Sequence, residues 1–176
     1  SSAASDVYKR QYILTEPNNF RAQKVDNLKS IFDSYGLEYV TEKSVNDAID
    51  YAKGRVQGGS PIIEHDEIRE RIADMYVSIS VARDAIWQAA WHADNAAEGE
   101  YDHKEGMRVK IFASDMAPQV CSSAMNIFGG TGYMTTHSAE RHMRDAMMCY
   151  HIDGLNDTDR WKLGRLIAGE KFAGSI

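Results

Sequence analysis

Apolar residues recur in steps of three and four over much of this chain, which is the spacing of an amphipathic α-helix. The longest run follows Pro61 and places one apolar seam on a single helical face: Ile68, Ile72, Met75, Ile79, Ala82, Ile86, Ala89 and Ala93. A seam of this length predicts a long helix packed nearly parallel to its neighbours. The small residues at its far end would let a partner helix approach closely.

The same spacing predicts helices on both sides of this seam. One lies over 19–53, in one piece or divided near Gly36, and another lies over 107–128. Pro118 costs about 3 kcal/mol inside a straight helix, so we expect a kink one turn before it. The stretch "NAAEGEYDHKEG", which precedes the second helix, is predicted to be a polar connection.

Two shorter helices are predicted near the end of the chain. Ser138 is expected to cap the first. This helix carries the i,i+4 pair Glu140–Arg144, and such a pair stabilises an exposed helix by about 0.2–0.5 kcal/mol. Asn156 or Asp157 is expected to cap the second, which is predicted to end near position 174.

Five helices with short connections indicate an all-α fold, an up-and-down helical bundle that occupies 19–176 as one domain. The opening "SSAASDVYKR" is polar, contains no apolar patch and is typical of a tag or an assembly remnant. Residues 1–18 are therefore predicted to be unstructured and of non-native origin.

Composition and charge narrow the function classes. The 176 residues are 43% hydrophobic and 26% charged, which is typical of a globular domain. A formal net charge of −6 argues against nucleic acid or an anionic membrane as the main partner. Two cysteines without metal-ligand spacing suit a reducing compartment. We expect a cytoplasmic protein of a bacterium or archaeon rather than one of the mitochondrial matrix.

Two kinds of catalytic site find little support in the sequence. A di-metal carboxylate site in a helical bundle needs Glu-x-x-His on two facing helices, and only Glu100 and His103 have that spacing. That pair lies in the predicted polar connection, so we expect no metal. No G-x-S-x-G motif is present, so a strained nucleophilic serine is not indicated.

The stretch "MNIFGGTGYM" has three glycines in four positions directly after a predicted helix. "NIFGGTGY" resembles the Gln-Ile-x-Gly-Gly-x-Gly-Tyr loop of acyl-CoA dehydrogenases. "YAKGRVQGGSPIIEHDEIRERIADM", from Tyr51 to Met75, resembles the flavin-contacting region of the same family. "ERHMRDA" and "DGLNDTDR" follow in the family's order, so the resemblance covers about 50–168. It identifies the chain as a C-terminal helical domain of that family and implies its fold, an up-and-down four-helix bundle.

The resemblance implies a fragment, or a subunit that works with a companion, because the family's preceding helical and β domains are absent. It implies FAD as cofactor and an acyl-CoA thioester as substrate. It also implies that an electron-transferring flavoprotein accepts the electrons and that the protein assembles as a homotetramer or a dimer. The implied reaction is α,β-dehydrogenation, in which a carboxylate removes the α-proton and a hydride leaves the β-carbon for flavin N5.

The resemblance also implies roles for individual residues. Arg55 matches the arginine on the FAD pyrophosphate, and Asp153 occupies the position of the catalytic base. The loop that would contact the ADP portion of a neighbouring subunit's FAD consists of Asn126, Ile127, Phe128, Gly129 and Gly130. Asn156 and Asp157 are further candidate cofactor contacts. A helix C-cap followed by a tight turn is the alternative explanation of the glycines.

Several residues depart from the family pattern. Asp153 is one methylene shorter than the usual Glu, and Asn126 replaces a Gln. Gly58 and Asp66 stand where a Phe and a flavin-contacting Gln are expected, and Leu155 with Asn156 replaces a Thr-Ser pair. Some family branches place the base on an earlier helix, where Glu38 and Glu42 are candidates. The alternative function is a non-catalytic relative, an oligomerisation or partner subunit that completes a neighbouring flavin site.

Overall fold

The computed structural model describes residues 40–97, 100, 102–151 and 154–170. The predicted start of the domain, 19–39, and the predicted unstructured segment, 1–18, lie outside this part of the chain. The first described element, α1, spans Val40–Gly54. It confirms the second half of the helix that was predicted over 19–53.

A short β-hairpin follows α1 and was not predicted. Strand β1 (Val56–Gln57) pairs antiparallel with β2 (Ser60–Pro61). The two residues between them, Gly58 and Gly59, have φ of 65° and 95°. A two-residue hairpin loop with positive φ at both positions favours glycine, so this turn accounts for the Gly58 that departs from the family's phenylalanine.

The apolar seam forms the longest helix, α2, which spans Asp66–Asn95 after a short 3₁₀ turn over Ile62–Glu64. Met75, Ala82 and Ala89 of the seam are buried. Ile68, Ile72 and Ile79 are half-buried against the same core. The predicted position of the seam is therefore confirmed.

The central helix, α3, spans His103–Phe128 and begins four residues earlier than predicted. The carboxylate of Asp102 accepts a hydrogen bond from the Lys104 amide at 3.0 Å, which caps the helix. The prediction of a polar connection up to Gly106 was thus wrong at its end, because Asp102 is the N-cap. Pro118 lies inside α3 and is buried, while the kink expected before it stays a prediction.

Two short helices complete the described chain. Helix α4 spans Ala139–Met147, and α5 spans Asn156–Ile167. Ser138 occupies the N-cap position of α4, but its side chain makes no capping bond. The predicted cap of α5 was also wrong, since the helix already includes Asn156 and no side chain caps it. It ends before the predicted position because Gly169, with φ of 82°, closes it.

Helix α3 contacts each of the other four helices, so it forms the axis of the bundle. The main core joins α1, the 3₁₀ turn, α2, α3 and the start of α4 through Val45, Ala48, Ala52, Ile62, Met75, Val120, Ala124, Ile127, Phe128 and Ala139. A smaller cluster of Ala117, Cys121 and Ala146 joins α3 to α4. The predicted all-α helical bundle is confirmed. No helix in the described ranges combines the length and the apolar character needed to cross a bilayer.

Candidate functional site

The glycine loop begins where α3 ends. Gly129 has φ of 59° and ψ of −142°, a backbone conformation that is almost restricted to glycine, and its amide donates to the Asn126 carbonyl. A short 3₁₀ helix over Gly129–Tyr133 follows. The loop therefore ends α3 as a C-cap, which is the alternative explanation of the glycines given above. Its three glycines nevertheless have different surroundings.

Gly132 and Gly130 differ in what surrounds them. Gly132 is buried, and a Cβ there would lie 2.6 Å from the Met125 carbonyl oxygen and 2.8 Å from the Phe128 Cβ. Gly132 is thus required for close packing of the loop on α3. Gly130 is exposed and lacks a positive φ. Apart from its chain neighbours, no atom of the described residues lies within 4 Å of a Cβ at this position. The described residues give no internal reason for glycine at that position.

An aromatic cluster fixes the loop against α1. The Tyr51 ring lies 4.5 Å from the Phe128 ring, and the His137 ring lies 5.6 Å and 5.3 Å from Tyr51 and Phe128, between centroids. The Thr131 hydroxyl also donates a hydrogen bond to the Phe128 carbonyl at 2.7 Å, and its oxygen lies 3.3 Å from the Tyr51 hydroxyl, which can donate to it. Two stretches that are far apart in sequence, the one that begins at Tyr51 and the glycine loop, are therefore in contact.

Arg55 lies directly after α1, and its amide donates to the Tyr51 carbonyl at 2.9 Å. Its side chain is exposed, and we find no ion pair or hydrogen bond from its guanidinium to the part of the chain that the structure describes. Asn126 is also exposed, whereas Ile127 and Phe128 are buried in the core. Ile127 and Phe128 are therefore core residues of this chain, and their side chains are not accessible to a ligand.

Asn156 and Asp157 lie elsewhere. Asn156 is buried: its Oδ1 accepts from Lys110 Nζ at 2.5 Å, and its Nδ2 donates to Asp115 at 3.2 Å. Each end of this amide retains one further hydrogen-bonding position. Asp157 is exposed and lies 3.4 Å from the Arg160 guanidinium.

The predicted cofactor contacts thus form two groups within one chain. Asn156 contacts Asp115 of α3, whereas the glycine loop begins at Asn126. At about 1.5 Å of rise per residue, Asp115 and Asn126 are about 16 Å apart along α3. Arg55 and residues 126–130 belong to one end of the bundle, and Asn156 and Asp157 belong to another region.

The candidate bases are only partly within the described residues. Asp153 and Glu38 lie outside them. Glu42 of α1 forms an ion pair with Arg83 of α2, and both side chains are 31% exposed. Glu42 therefore joins two helices of the bundle.

Asp66, the departure with the strongest electrostatic consequence, lies in the first turn of α2. Its carboxylate is fully exposed and lies 3.4 Å from the Arg69 guanidinium. A carboxylate at a helix N-terminus is favoured by the helix dipole. These two interactions give the acidic residue a role in the fold of this chain.

One polar cluster had no counterpart in the sequence predictions. Asp47 of α1 accepts hydrogen bonds from the Ser138 hydroxyl and from His142 Nε2, the latter at 3.0 Å. Burial by itself would raise the pKa of Asp47, but these two bonds and the nearby Lys43 outweigh it, so the pKa is lowered. The cluster explains why Ser138 does not cap α4. Within the described ranges, no group of three His, Cys, Asp or Glu residues is placed to bind a metal.

A protein-family model described as "Acyl-CoA dehydrogenase, C-terminal domain" matches residues 39–167. The chain belongs to the acyl-CoA dehydrogenase family. This match covers both the stretch that begins at Tyr51 and the glycine loop, and it confirms the resemblance found in the sequence.

Individual relatives agree with this assignment. The chain is 36% identical over 118 residues to the short-chain specific acyl-CoA dehydrogenase of Megasphaera elsdenii, covering 67% of this chain and 30% of that protein. Among solved structures, butyryl-CoA dehydrogenase from Megasphaera elsdenii has a TM-score of 0.68 at 33% identity, with coverage of 73% and 33%. A structure described as the electron transferring flavoprotein of Acidaminococcus fermentans has the same TM-score at 32% identity, with coverage of 74% and 34%. The chain spans about a third of the length of the relatives it matches.

Proposed function

We propose that this chain is the C-terminal domain of an FAD-dependent acyl-CoA dehydrogenase, which catalyses α,β-dehydrogenation of an acyl-CoA thioester. The observation that supports this best is the contact of Tyr51 with Phe128 and Thr131. It brings two separate motifs of the family into contact. Family membership by itself supports FAD as the cofactor.

The described residues fit the ADP portion of FAD at the glycine loop. Gly129 and Gly130 are exposed, and apart from their chain neighbours no atom of the described residues lies within 4 Å of an ideal Cβ at either position. A ligand can therefore approach the backbone more closely there than at any residue with a side chain. Arg55 carries a guanidinium able to make paired, charge-assisted hydrogen bonds with a pyrophosphate.

The proposed reaction assigns the proton and the hydride to different groups. The Asp153 carboxylate removes the α-proton of the thioester and becomes a carboxyl group. FAD, when bound, supplies the acceptor for the hydride that leaves the β-carbon. Desolvation by the bound substrate makes a carboxylate a stronger base, because burial disfavours its charged form.

We also propose that the enzyme is a homotetramer or dimer, that it passes electrons to an electron-transferring flavoprotein, and that it is cytoplasmic. The outward face of α2 supports association, because it exposes Tyr76, Trp87 and Trp91 with 69%, 41% and 56% of their surface accessible. Large exposed aromatic residues on one helix face are typical of a protein interface.

Replacing Asp153 by Ala in the full-length protein tests the proposed base. The variant should retain bound flavin, measured by visible absorbance, and should lose turnover of acyl-CoA thioesters. Asp94→Ala removes an exposed carboxylate at the end of α2 and should leave both measurements unchanged. Retained turnover in Asp153→Ala would remove this residue from the role of base.

The departures at Gly58, Asp66, Asn126 and the Leu155–Asn156 pair favour one second candidate, a non-catalytic relative that completes a neighbouring flavin site. In that case the purified full-length protein alone would be colourless and inactive with every acyl-CoA tested. Flavin absorbance that appears only after mixing with a companion subunit would support this second candidate over the first.

A further inference from the structure

The glycine loop and the residues that follow it are mostly exposed. In the segment 129–136, Gly132 is buried against α3, and every other residue is exposed. Exposed segments with few packed side chains open locally at little cost in free energy. The conformation of this segment therefore depends on the residues that contact it from the rest of the bundle.

Tyr51 of α1 contacts the residue on each side of the Gly129–Gly130 pair. Its ring lies 4.5 Å, between centroids, from the ring of Phe128, which precedes the pair. Its hydroxyl lies 3.3 Å from the hydroxyl oxygen of Thr131, which follows the pair. The Thr131 hydroxyl in turn donates to the Phe128 carbonyl at 2.7 Å. One side chain of α1 thus joins the two ends of the exposed glycine pair.

Helix α1 also contacts the far end of the segment. The His137 ring meets the Tyr51 ring edge-on, with an interplanar angle of 79°, which is a favoured arrangement of aromatic rings. One helical turn before Tyr51, Asp47 accepts hydrogen bonds from Ser138 and from His142. Residues four apart lie on the same face of a helix, so one face of α1 holds both ends of the segment.

We propose that Tyr51 is a positioning residue for the cofactor, which keeps the backbone of Gly129 and Gly130 in the conformation that receives the ADP portion of FAD. This inference rests on the proposed function, which places FAD at the glycine loop. A ligand that binds one conformation of a loop has an apparent Kd that rises as the fraction of molecules in that conformation falls. Loss of Tyr51 should therefore weaken FAD binding through the loop.

The test compares Tyr51→Leu with Tyr51→Phe in the full-length protein. Leucine removes the ring and the hydroxyl, whereas phenylalanine keeps the ring contacts with Phe128 and His137 and removes only the hydroxyl. Two quantities are measured after the flavin has been removed: the Kd for added FAD, and the rate of amide hydrogen exchange in peptides that cover 129–136 and α5.

We expect Tyr51→Leu to raise the Kd for FAD about tenfold, because two aromatic contacts are lost. Amide exchange over 129–136 should become faster, and exchange over α5 should not change. The conservative Tyr51→Phe should restore the Kd to within about threefold of the unsubstituted protein, because only one weak hydrogen bond is lost.

Three results would overturn the inference. The first is a Kd in Tyr51→Leu within twofold of the unsubstituted protein, whatever the effect on thermal stability. The second is a raised Kd with unchanged exchange over 129–136, since Tyr51 would then act on the cofactor without the loop. The third is a Tyr51→Phe that binds FAD as weakly as Tyr51→Leu, because its ring contacts are retained.

If Tyr51→Leu does not fold, Thr131→Val takes its place. Valine has nearly the shape of threonine but lacks the hydroxyl that joins Tyr51 to the Phe128 carbonyl. Thr135→Val is its control, because Thr135 is an exposed threonine of the same segment. A several-fold higher Kd for FAD in Thr131→Val than in Thr135→Val supports the inference, and equal values overturn it.

Gly130→Ala, measured in parallel, separates this inference from the proposed function. A weakened FAD complex in Gly130→Ala beside normal binding in Tyr51→Leu would remove only the role of Tyr51. An unsubstituted full-length protein that does not bind FAD, or a Gly130→Ala that binds it normally, would instead contradict the proposed cofactor site itself.

Discussion

Alanine at each glycine of the loop should give a different result, because the three glycines are present for different reasons. At Gly132 a methyl group would lie 2.6 Å from the Met125 carbonyl oxygen and 2.8 Å from the Phe128 Cβ. The oxygen belongs to the α3 backbone, which cannot move aside without disturbing the helix end. Overpacking of this kind costs about 1–3 kcal/mol, and we expect the upper half of that range for Gly132→Ala.

Gly129→Ala should be less harmful and for another reason. Apart from its chain neighbours, no atom of the described residues lies within 4 Å of a Cβ at this position, so only the backbone conformation opposes the change. Such strain costs about 1–3 kcal/mol, and the reduced freedom of the unfolded chain offsets about 0.4–1 kcal/mol of it. The net loss in the free energy of unfolding should be about 1–2 kcal/mol.

Gly130→Ala should leave folding intact and weaken flavin binding. Its φ is not positive, and apart from its chain neighbours the added methyl group would meet no atom of the described residues within 4 Å. The reduced freedom of the unfolded chain should therefore make the substitution neutral or slightly stabilising. In the proposed enzyme the same methyl group would stand between the backbone and the cofactor. We expect at least about a tenfold increase in the Kd for FAD, equivalent to about 1.4 kcal/mol.

The assay measures thermal unfolding and FAD titration of the full-length protein for all three variants. Gly164→Ala is the control, because Gly164 lies in α5 and a methyl group there also meets nothing within 4 Å. It should stabilise the helix by up to about 1 kcal/mol and leave the Kd for FAD unchanged. An unchanged Kd in Gly130→Ala would refute the placement of the cofactor at this loop. Full stability of Gly132→Ala would refute the packing argument.

Two further predictions concern titrating groups, the half-buried Asp47 and the buried Cys121. Because the pKa of Asp47 is lowered in the folded protein, its contribution to stability is present at neutral pH and is lost as the pH falls through the folded pKa. The difference in thermal midpoint between the unsubstituted protein and Asp47→Asn should therefore shrink below about pH 4, and a difference that stays constant into acid would contradict this reasoning. Burial raises the pKa of the Cys121 thiol to about 12, and the residue is 0% exposed. Cys121 should therefore resist alkylation in the native protein at mildly alkaline pH and react after unfolding, as mass spectrometry of the modified peptide would establish. Rapid alkylation of native Cys121 would show that the thiol is accessible.

Local sequence patterns were sufficient to predict the elements whose apolar spacing or motif residues lie within a few positions of each other. The apolar steps from Ile68 to Ala93 predicted α2, and the ordered motifs predicted the family. The caps at Ser138 and Asn156 were predicted wrongly for a common reason. Each residue has the chemistry of a cap, but its side chain is engaged by a distant residue, Asp47 for Ser138 and Lys110 for Asn156.

The sequence by itself determined that this chain is helical, where its long amphipathic helices lie, and to which family it belongs, because periodicity and motif order are properties of neighbouring residues. Only the tertiary structure decided that Tyr51 packs on Phe128, that Gly132 is needed for packing while Gly130 faces open space, and that Lys110 binds the start of α5. These contacts join residues from 44 to 80 positions apart, or depend on the volume around a single atom. Neither kind of information is present in the spacing of residues along the chain.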